Sequence, residues 1–294
     1  MRSRPPTGSV PVMSSSSDQS GAAGAGAGAR AEDRVRIEIA DHVAIVTLTR
    51  EDKHNALDLP MFDGIIGAAE RLRTEQGVRV VVLHGEGPSF CSGLDIASIM
   101  ASQGNGTETL LKPLRGETPN YFQRAAYDWL RVPVPVIAAL HGNVLGGGLQ
   151  IALGADLRIA SADARLSVME VKWGLVPDMA ITRTLPRLVR LDLAKELTYT
   201  GRIVSGSEAA ALGLVTRTAE DPLAAARELA AEIAARSPDA VRAAKRLYDE
   251  MWSAPAPDSL ALEAELQLGL LGSPNQLAAV TSGFTKQPAE FIDP

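Results

Sequence analysis

The chain has 294 residues, 46% of them hydrophobic, enough to bury a sizeable core as one large domain or two small ones. A formal charge of -6 and an isoelectric point near 5.4 argue against a nucleic-acid-binding surface, since nothing basic is concentrated enough to neutralise a run of phosphates. A single cysteine excludes an internal disulfide, and the absence of a membrane-length apolar run or a secretory leader leaves the cytoplasm as the expected compartment, with no membrane partner.

Residues 1–30 are Ser, Gly, Ala and Pro in low-complexity order and are expected to be a disordered tail. Met13 is an alternative start, which would leave residues 1–12 outside the native protein. From Arg34 to Thr49, apolar and polar residues alternate on either side of Asp41-His42, predicting a β-hairpin. Helical spacing from Leu59 to Glu75 predicts a helix, and Val78 to His84 a buried strand. The loop Gly87 to Asp95 follows that strand, where an α/β sheet places ligands. Residues 101–118 suit a mobile binding loop, and a helix is predicted from Asn120 to Arg131.

The stretch that organises the chain comes next. Val134 to Leu140 reads as a strand entered through Pro133 and Pro135, and Gly146-Gly147-Gly148 then turn the backbone into an apolar helix. First-turn N–H groups of a helix have no internal partner, so an oxyanion placed there is stabilised. A packing turn fits the glycines equally well at this point. A phosphate cradle does not, because neither Gly-Lys-Ser/Thr nor G-x-G-x-x-G with a distant acid is present.

Leu157 to Ala160 and Arg165 to Val168 are predicted strands, followed by Glu170 and the turn Trp173 to Asp178. Beyond Leu185 the alanine-rich sequence predicts helices over 191–200, 207–212, 223–236, 238–251 and 257–271. The reading is one α/β domain with a helical C-terminal extension and no internal repeat visible in the sequence.

Ser89-Phe90-Cys91-Ser92-Gly93-Leu94-Asp95, His141-Gly142 with Gly146-Gly147-Gly148, and Glu170 with Gly174-Leu175-Val176-Pro177 resemble the crotonase (enoyl-CoA hydratase/isomerase) superfamily. Lys53-His54-Asn55-Ala56-Leu57 resembles its first signature and Gly283 to Phe291 its usual tail, so the resemblance covers residue 34 to the C-terminus with five motifs in order. It implies a spiral of β-β-α units over 31–206, a helical trimerisation region over 207–294, and assembly as a homotrimer or homohexamer. It also implies an acyl-CoA thioester as substrate, with coenzyme A arriving as part of that substrate and no separate cofactor or metal.

In such enzymes two backbone N–H groups hold the thioester oxygen as it becomes an enolate; here the resemblance gives them to Leu94 and Gly147. It gives substrate contacts to Lys53, Ser92, Gly93, Asp95, Gly146 and Gln150, and catalysis to Glu170 and Asp178. The family's hydratases carry one Glu on the Gly-rich helix and another about twenty residues later; this chain has Gln150 at the first position and Glu170 at the second. A neutral amide neither accepts nor delivers the protons that hydration requires, and one missing acid/base typically costs ~10²- to 10⁴-fold in rate.

Moving a double bond needs only one carboxylate. The expectation is therefore a double-bond isomerase of an enoyl- or dienoyl-CoA with Glu170 as base; the alternatives are a 2-enoyl-CoA hydratase and a CoA-binding pseudo-enzyme. Asp178 falls where dienoyl-CoA isomerases of the family carry an Asp, although those also have an acid at the Gln150 position; a helix-capping role suits Asp178 equally. Gln150 is expected to fill polar space or orient a water or the thioester. Cys91 is expected to fill core space and His141 to be a hydrogen-bonded structural residue. The four histidines show no metal-ligand spacing, and a G-x-S-x-G elbow is absent. Lys53 and Lys286 either meet CoA phosphates or lie on a solvated surface.

Overall fold

The computed structural model describes residues 30–98, 107–113 and 116–294. The low-complexity tail as far as residue 29, and residues 101–106 and 114–115 of the expected binding loop at 101–118, lie outside the described residues; the described part of that loop holds a helical turn, Thr107–Leu110.

The hairpin forms as β1 (Val35–Ala40) and β2 (Val43–Leu48), antiparallel with Ala40 opposite Val43. Its two-residue turn puts Asp41 and His42 at positive φ (48° and 65°), the mirror-image turn whose twist matches paired strands. β3 (Val80–Gly85), β4 (Val136–Leu140), β6 (Leu157–Ala160) and β9 (Arg217–Thr218) extend the sheet in parallel, in the order β1-β2-β3-β4-β6-β9. Parallel strands covered on both faces read as unbroken apolar runs, and here both faces are covered. Val81, Leu83 and Ala138 face α1 (Leu59–Thr74) and α2 (Tyr121–Leu130), whereas Val80, Val82, Ile137 and Ile159 meet α7 (Pro222–Ala234) on the other side.

Helix α1 starts where Asp58 accepts a hydrogen bond from Met61 N at 2.9 Å and Pro60 presets the first turn. Met61, Phe62, Ile65, Ala69 and Leu72 make its buried stripe. The Asp58 carboxylate also meets Arg34 at 2.9 Å and Arg50 at 3.5 Å, binding the helix start to the hairpin.

A second, small sheet is built from β5 (Asn143–Leu145), β7 (Arg165–Ser167) and β8 (Val204–Ser205). Single bridges Cys91↔Val144 and Leu57↔Leu94 continue it. Successive turns of chain thus give one segment to each sheet: β3 then Cys91, β4 then β5, β6 then β7. This is the spiral of β-β-α units, repeated in space though not visibly in sequence. β5 did not register as a strand because Asn143-Val144-Leu145 is too short to show alternation.

The large sheet does not stop at residue 206. β9 adds its last strand, and α7 lies against β3, β4 and β6. The helix expected in an extension is a core helix because Ala226, Ala230 and Ala234, all buried, let it approach the sheet closely. Between these elements lie α4 (Ile181–Thr184), α5 (Leu191–Thr200) and α6 (Gly206–Leu212). Helices α8 (Pro238–Met251), α9 (Ala256–Leu270) and α10 (Pro274–Thr285) follow. None of the expected helices covers α10, although Ser273, which caps it through Gln276 N at 3.2 Å, and Pro274 are a start signal. No helix among the described residues is long and apolar enough to cross a membrane.

Candidate active site

Two loops and one turn meet at the small sheet. The first loop is set by Asn55, fully buried with φ 55°. Its side chain accepts from Arg50 N at 2.8 Å and donates to the Glu86 and Ser89 carbonyls at 2.9 and 2.8 Å. That one amide welds residues 50–57 to residues 86–89. Leu57 N donates to Gly93 O at 2.8 Å and Asp95 N to Leu57 O at 3.0 Å, so Leu94 is held between two bonded neighbours. The N–H of Leu94 itself has no acceptor among the described residues. Arg50 grips the Asp95 carboxylate at 2.8 Å, and Asp95 also accepts from Ser98 N. These contacts hold Asp95's carboxyl below its ordinary range although partial burial works the other way.

The second loop is the glycine run. Gly146, at φ 53° and ψ -122°, takes a conformation that a side chain would strain, and its N–H donates to Ser167 O at 2.9 Å. Gly147 opens α3 (Gly147–Leu153), and its N–H likewise has no acceptor among the described residues. With seven residues the helix adds little macrodipole, so the local N–H groups rather than the helix charge carry any anion binding. The two loops touch: Gly93 has φ 90°, and a Cβ there would lie 2.7 Å from Leu145 O and 3.7 Å from Gly147 N. Two unengaged main-chain donors therefore lie on adjoining glycine bends.

Glu170 starts a 3-10 turn, Glu170–Trp173, separated from the end of β7 by two residues. It is buried, and a Cβ on Gly146 would sit 3.4 Å from its Oε1. Oε1 accepts from Gln150 Nε2 at 2.6 Å; Oε2 is buried without a hydrogen-bond partner. Burial pushes the Glu170 carboxyl above its usual range and the charge of Asp178 adds to that, while the Gln150 amide opposes it. A buried carboxylate with one free oxygen and a raised proton affinity is suited to act as a base.

Asp178 is near enough to act on Glu170 electrostatically but faces solvent. Partial loss of hydration raises its carboxyl as well. It does not cap the following helix: Ala180 occupies the N-cap of α4, at φ 62°, with no side-chain cap bond. Gln150 is the polar filler expected and more, since its Oε1 also accepts from Met179 N at 2.8 Å. Met179 was not singled out from sequence, nor were Asn55 and Arg50 as loop-holding residues. No local signal marks Met179; Asn55 lay inside a recognised motif.

Lys53 and Ser92 lie on the outer edge of the first loop, Ser92 Oγ donating to Lys53 O at 3.4 Å. Lys53 is exposed, and Lys286, at the end of α10, makes no hydrogen bond or ion pair with that loop. Cys91 is buried with its thiol donating to Asn55 O at 3.0 Å, and burial pushes the thiol up to about 12, which makes it packing rather than a nucleophile. His141 Nε2 pairs with Gly87 O at 2.9 Å. Among the described residues no group of His, Cys, Asp or Glu converges as metal ligands.

The chain is similar to known proteins in sequence and in fold. The enoyl-CoA hydratase/isomerase family model matches residues 38–284. A probable enoyl-CoA hydratase of Bacillus subtilis (strain 168) is 36% identical over 207 residues, 69% of this chain and 77% of that protein. The mitochondrial Delta(3,5)-Delta(2,4)-dienoyl-CoA isomerase of Mus musculus is 30% identical over 261 residues, 85% of this chain and 79% of that protein. The crystal structure of an enoyl-CoA hydratase from Bacillus anthracis superposes with a TM-score of 0.81 at 29% identity, covering 88% of this chain and 98% of that one. From glycine bends to spiral, the chain is an enzyme of the enoyl-CoA hydratase/isomerase family, within the crotonase superfamily.

Proposed function

We propose that the protein shifts a carbon–carbon double bond of an enoyl- or dienoyl-CoA, with Glu170 as the base. The observation that carries this is the neutral Gln150 bonded to Glu170 at 2.6 Å: one proton-transferring carboxylate is buried beside the glycine bends, and its neighbour has no proton to exchange. The thioester oxygen would accept from Leu94 N and Gly147 N, each donor worth ~3–4 kcal/mol against developing charge. Glu170 Oε2 takes a proton from C2 of a 3-enoyl thioester, the electron pair delocalises onto the thioester oxygen, and the same proton returns at C4 to leave the 2-enoyl product. With a 3,5-dienoyl chain Glu170 takes the C2 proton and Asp178, entering in its protonated form, delivers one at C6; proton exchange with water then restores Glu170 as base and Asp178 as acid.

Lys53, Ser92, Gly93, Asp95 and Gly146 are proposed to shape the substrate's seat, with Asp95 acting through Arg50. Hydration of a 2-enoyl-CoA is the second reading, favoured because the Bacillus subtilis and Bacillus anthracis relatives are described as hydratases. A homotrimer or homohexamer is also proposed. Leu260, Leu268, Leu271 and Phe284 on α9, α10 and the turn between them are 58–85% exposed, apolar side chains that packing against further copies would cover.

Purified protein offered 3-enoyl-, 3,5-dienoyl- and 2-enoyl-CoA separately, with isomeric products separated by liquid chromatography and hydrated ones by mass, tests the assignment. Conversion of the first or second without water addition is expected. Rapid hydration of the 2-enoyl compound alone would overturn it.

A further inference from the structure

Gln150 spends both ends of its carboxamide. Its side chain, 1% exposed, donates through Nε2 to Glu170 Oε1 at 2.6 Å and accepts through Oε1 from Met179 N at 2.8 Å. Met179 stands between Asp178 and Ala180, and Ala180 holds a left-handed φ of 62° that a residue with a Cβ adopts only when its surroundings impose it. Met179 also overlies the glycine bend: a Cβ on Gly147 would meet its Sδ at 3.0 Å. A single side chain thus joins the segment bearing Glu170, the turn bearing Asp178 and the wall over Gly147.

An ionised carboxylate in its place would have no hydrogen to give and would face Glu170 charge against charge. The amide is suited to both partners at once. By engaging Oε1 it leaves Oε2 as the oxygen of Glu170 that has no partner. Burial and the Asp178 charge disfavour the ionised form of Glu170, and its own backbone N–H and the Gln150 amide oppose them.

We propose that Gln150 is a positioning residue: its carboxamide fixes the Glu170 carboxylate by one oxygen, reserves the other for the substrate proton, and through Met179 N holds the Asp178 turn at a set distance from it. The inference rests on Glu170 being the base. It makes Gln150 a built part of a one-base site and not merely a lost acid.

The test reads proton abstraction alone, independent of isomerisation or hydration: exchange of the C2 protons of butanoyl-CoA in heavy water, followed by mass spectrometry. Wild type, Glu170→Gln, Gln150→Met and Gln150→Glu are compared as full chains. Wild type exchanges and Glu170→Gln does not. Gln150→Met keeps side-chain length and loses both bonds; exchange kcat falls ~10- to 100-fold, since a misplaced group commonly costs that much, and KM changes by less than kcat because the lost bonds are to the base and its turn. An N–H bond favours the ionised form of its acceptor, and the base must be ionised, so loss of that bond moves the acid limb of the kcat profile to higher pH.

Gln150→Glu retains an acceptor for Met179 N and adds a buried charge facing Glu170, so it moves the limb the same way, and its thermal midpoint falls more at about pH 8 than at about pH 5. It decides the matter if Gln150→Met does not fold. Unchanged kcat and pH profile in these variants, or a loss of kcat with the acid limb unmoved, would overturn the positioning role while leaving Glu170 as base. Absence of exchange in wild type would overturn Glu170 as base, and the inference with it.

Discussion

Gly148→Ala tests whether the two glycine bends act as one device. Gly148 is a helical residue of α3 with no unusual φ, so alanine there is not a backbone problem. It is a collision: the new methyl would lie 2.5 Å from Cys91 O, 2.8 Å from Cys91 Cβ and 2.9 Å from Cys91 Sγ. Relief requires Cys91 and α3 to part by about 1 Å, and such overpacking typically costs ~1–3 kcal/mol. Cys91 has little room to yield, because its N–H donates to Asn143 O and its carbonyl accepts from Leu145 N, both at 3.0 Å. The separation therefore falls between Leu94 N on one side and Gly147 N on the other. Misalignment of about 1 Å, or loss of one donor, lowers kcat ~10²- to 10³-fold. Steady-state rates on the substrate identified by the thioester screen, beside calorimetric melting, measure both effects; the stability loss corresponds to roughly 2–4 °C per kcal/mol in a chain of this size. Adding Cys91→Ala removes Sγ but leaves the carbonyl, so it should not rescue the rate. A folded Gly148→Ala protein with wild-type kcat would refute the idea that close apposition of the two bends sets the donor geometry.

Glu170→Gln should abolish turnover, and it should also raise the melting temperature at about pH 8 more than at about pH 5. The sign follows from burial: a carboxyl whose folded pKa is raised binds protons more readily folded than unfolded, so its ionised form costs stability above that pKa and the cost fades as pH falls through it. Parallel melts of the two proteins across that range would show an equal difference at both ends if the reasoning is wrong. Asp178→Asn should slow a 3,5-dienoyl substrate ~10²-fold or more while leaving a 3-enoyl substrate within a few-fold, as befits a group needed only for the distant proton; equal losses on both would remove Asp178 from the proton path. Asp58→Ala strips the cap of α1 and leaves Arg34 and Arg50 without their shared carboxylate. A loss of ~3–5 kcal/mol is expected in a denaturant titration, and a loss under about 1 kcal/mol would mean that the cluster acts as a surface pair.

What the sequence made legible were features with a strong local signature. The hairpin announced itself through alternation around Asp41-His42, β3 and β4 through unbroken apolar runs, and α8 through Pro238 after Ser237. Glu170 beside the glycine run could be named because the motif spacing carries it, yet its burial and its free oxygen could not. Those depend on Gln150, twenty residues away, and on Met179, whose contribution is a backbone N–H that any residue but proline supplies. The capping role weighed for Asp178 is absent because Ala180, in a conformation alanine rarely adopts, takes that position. β8 and β9, at two residues each, have no periodicity to read, and α7 looked like a surface extension because alanine signals helix without saying what lies beneath it.

The alternation of segments between two sheets has a consequence for how the molecule can be divided. A break between α2 and β4 would leave β3 without the partner that pairs Val81 to Val136, and would leave Cys91 without Val144. Neither half would own a finished layer, and each would present raw strand edges to the other. Two such fragments should be inert separately and regain activity on mixing, and no proteolytic piece of the core should survive as an independently stable, working remnant.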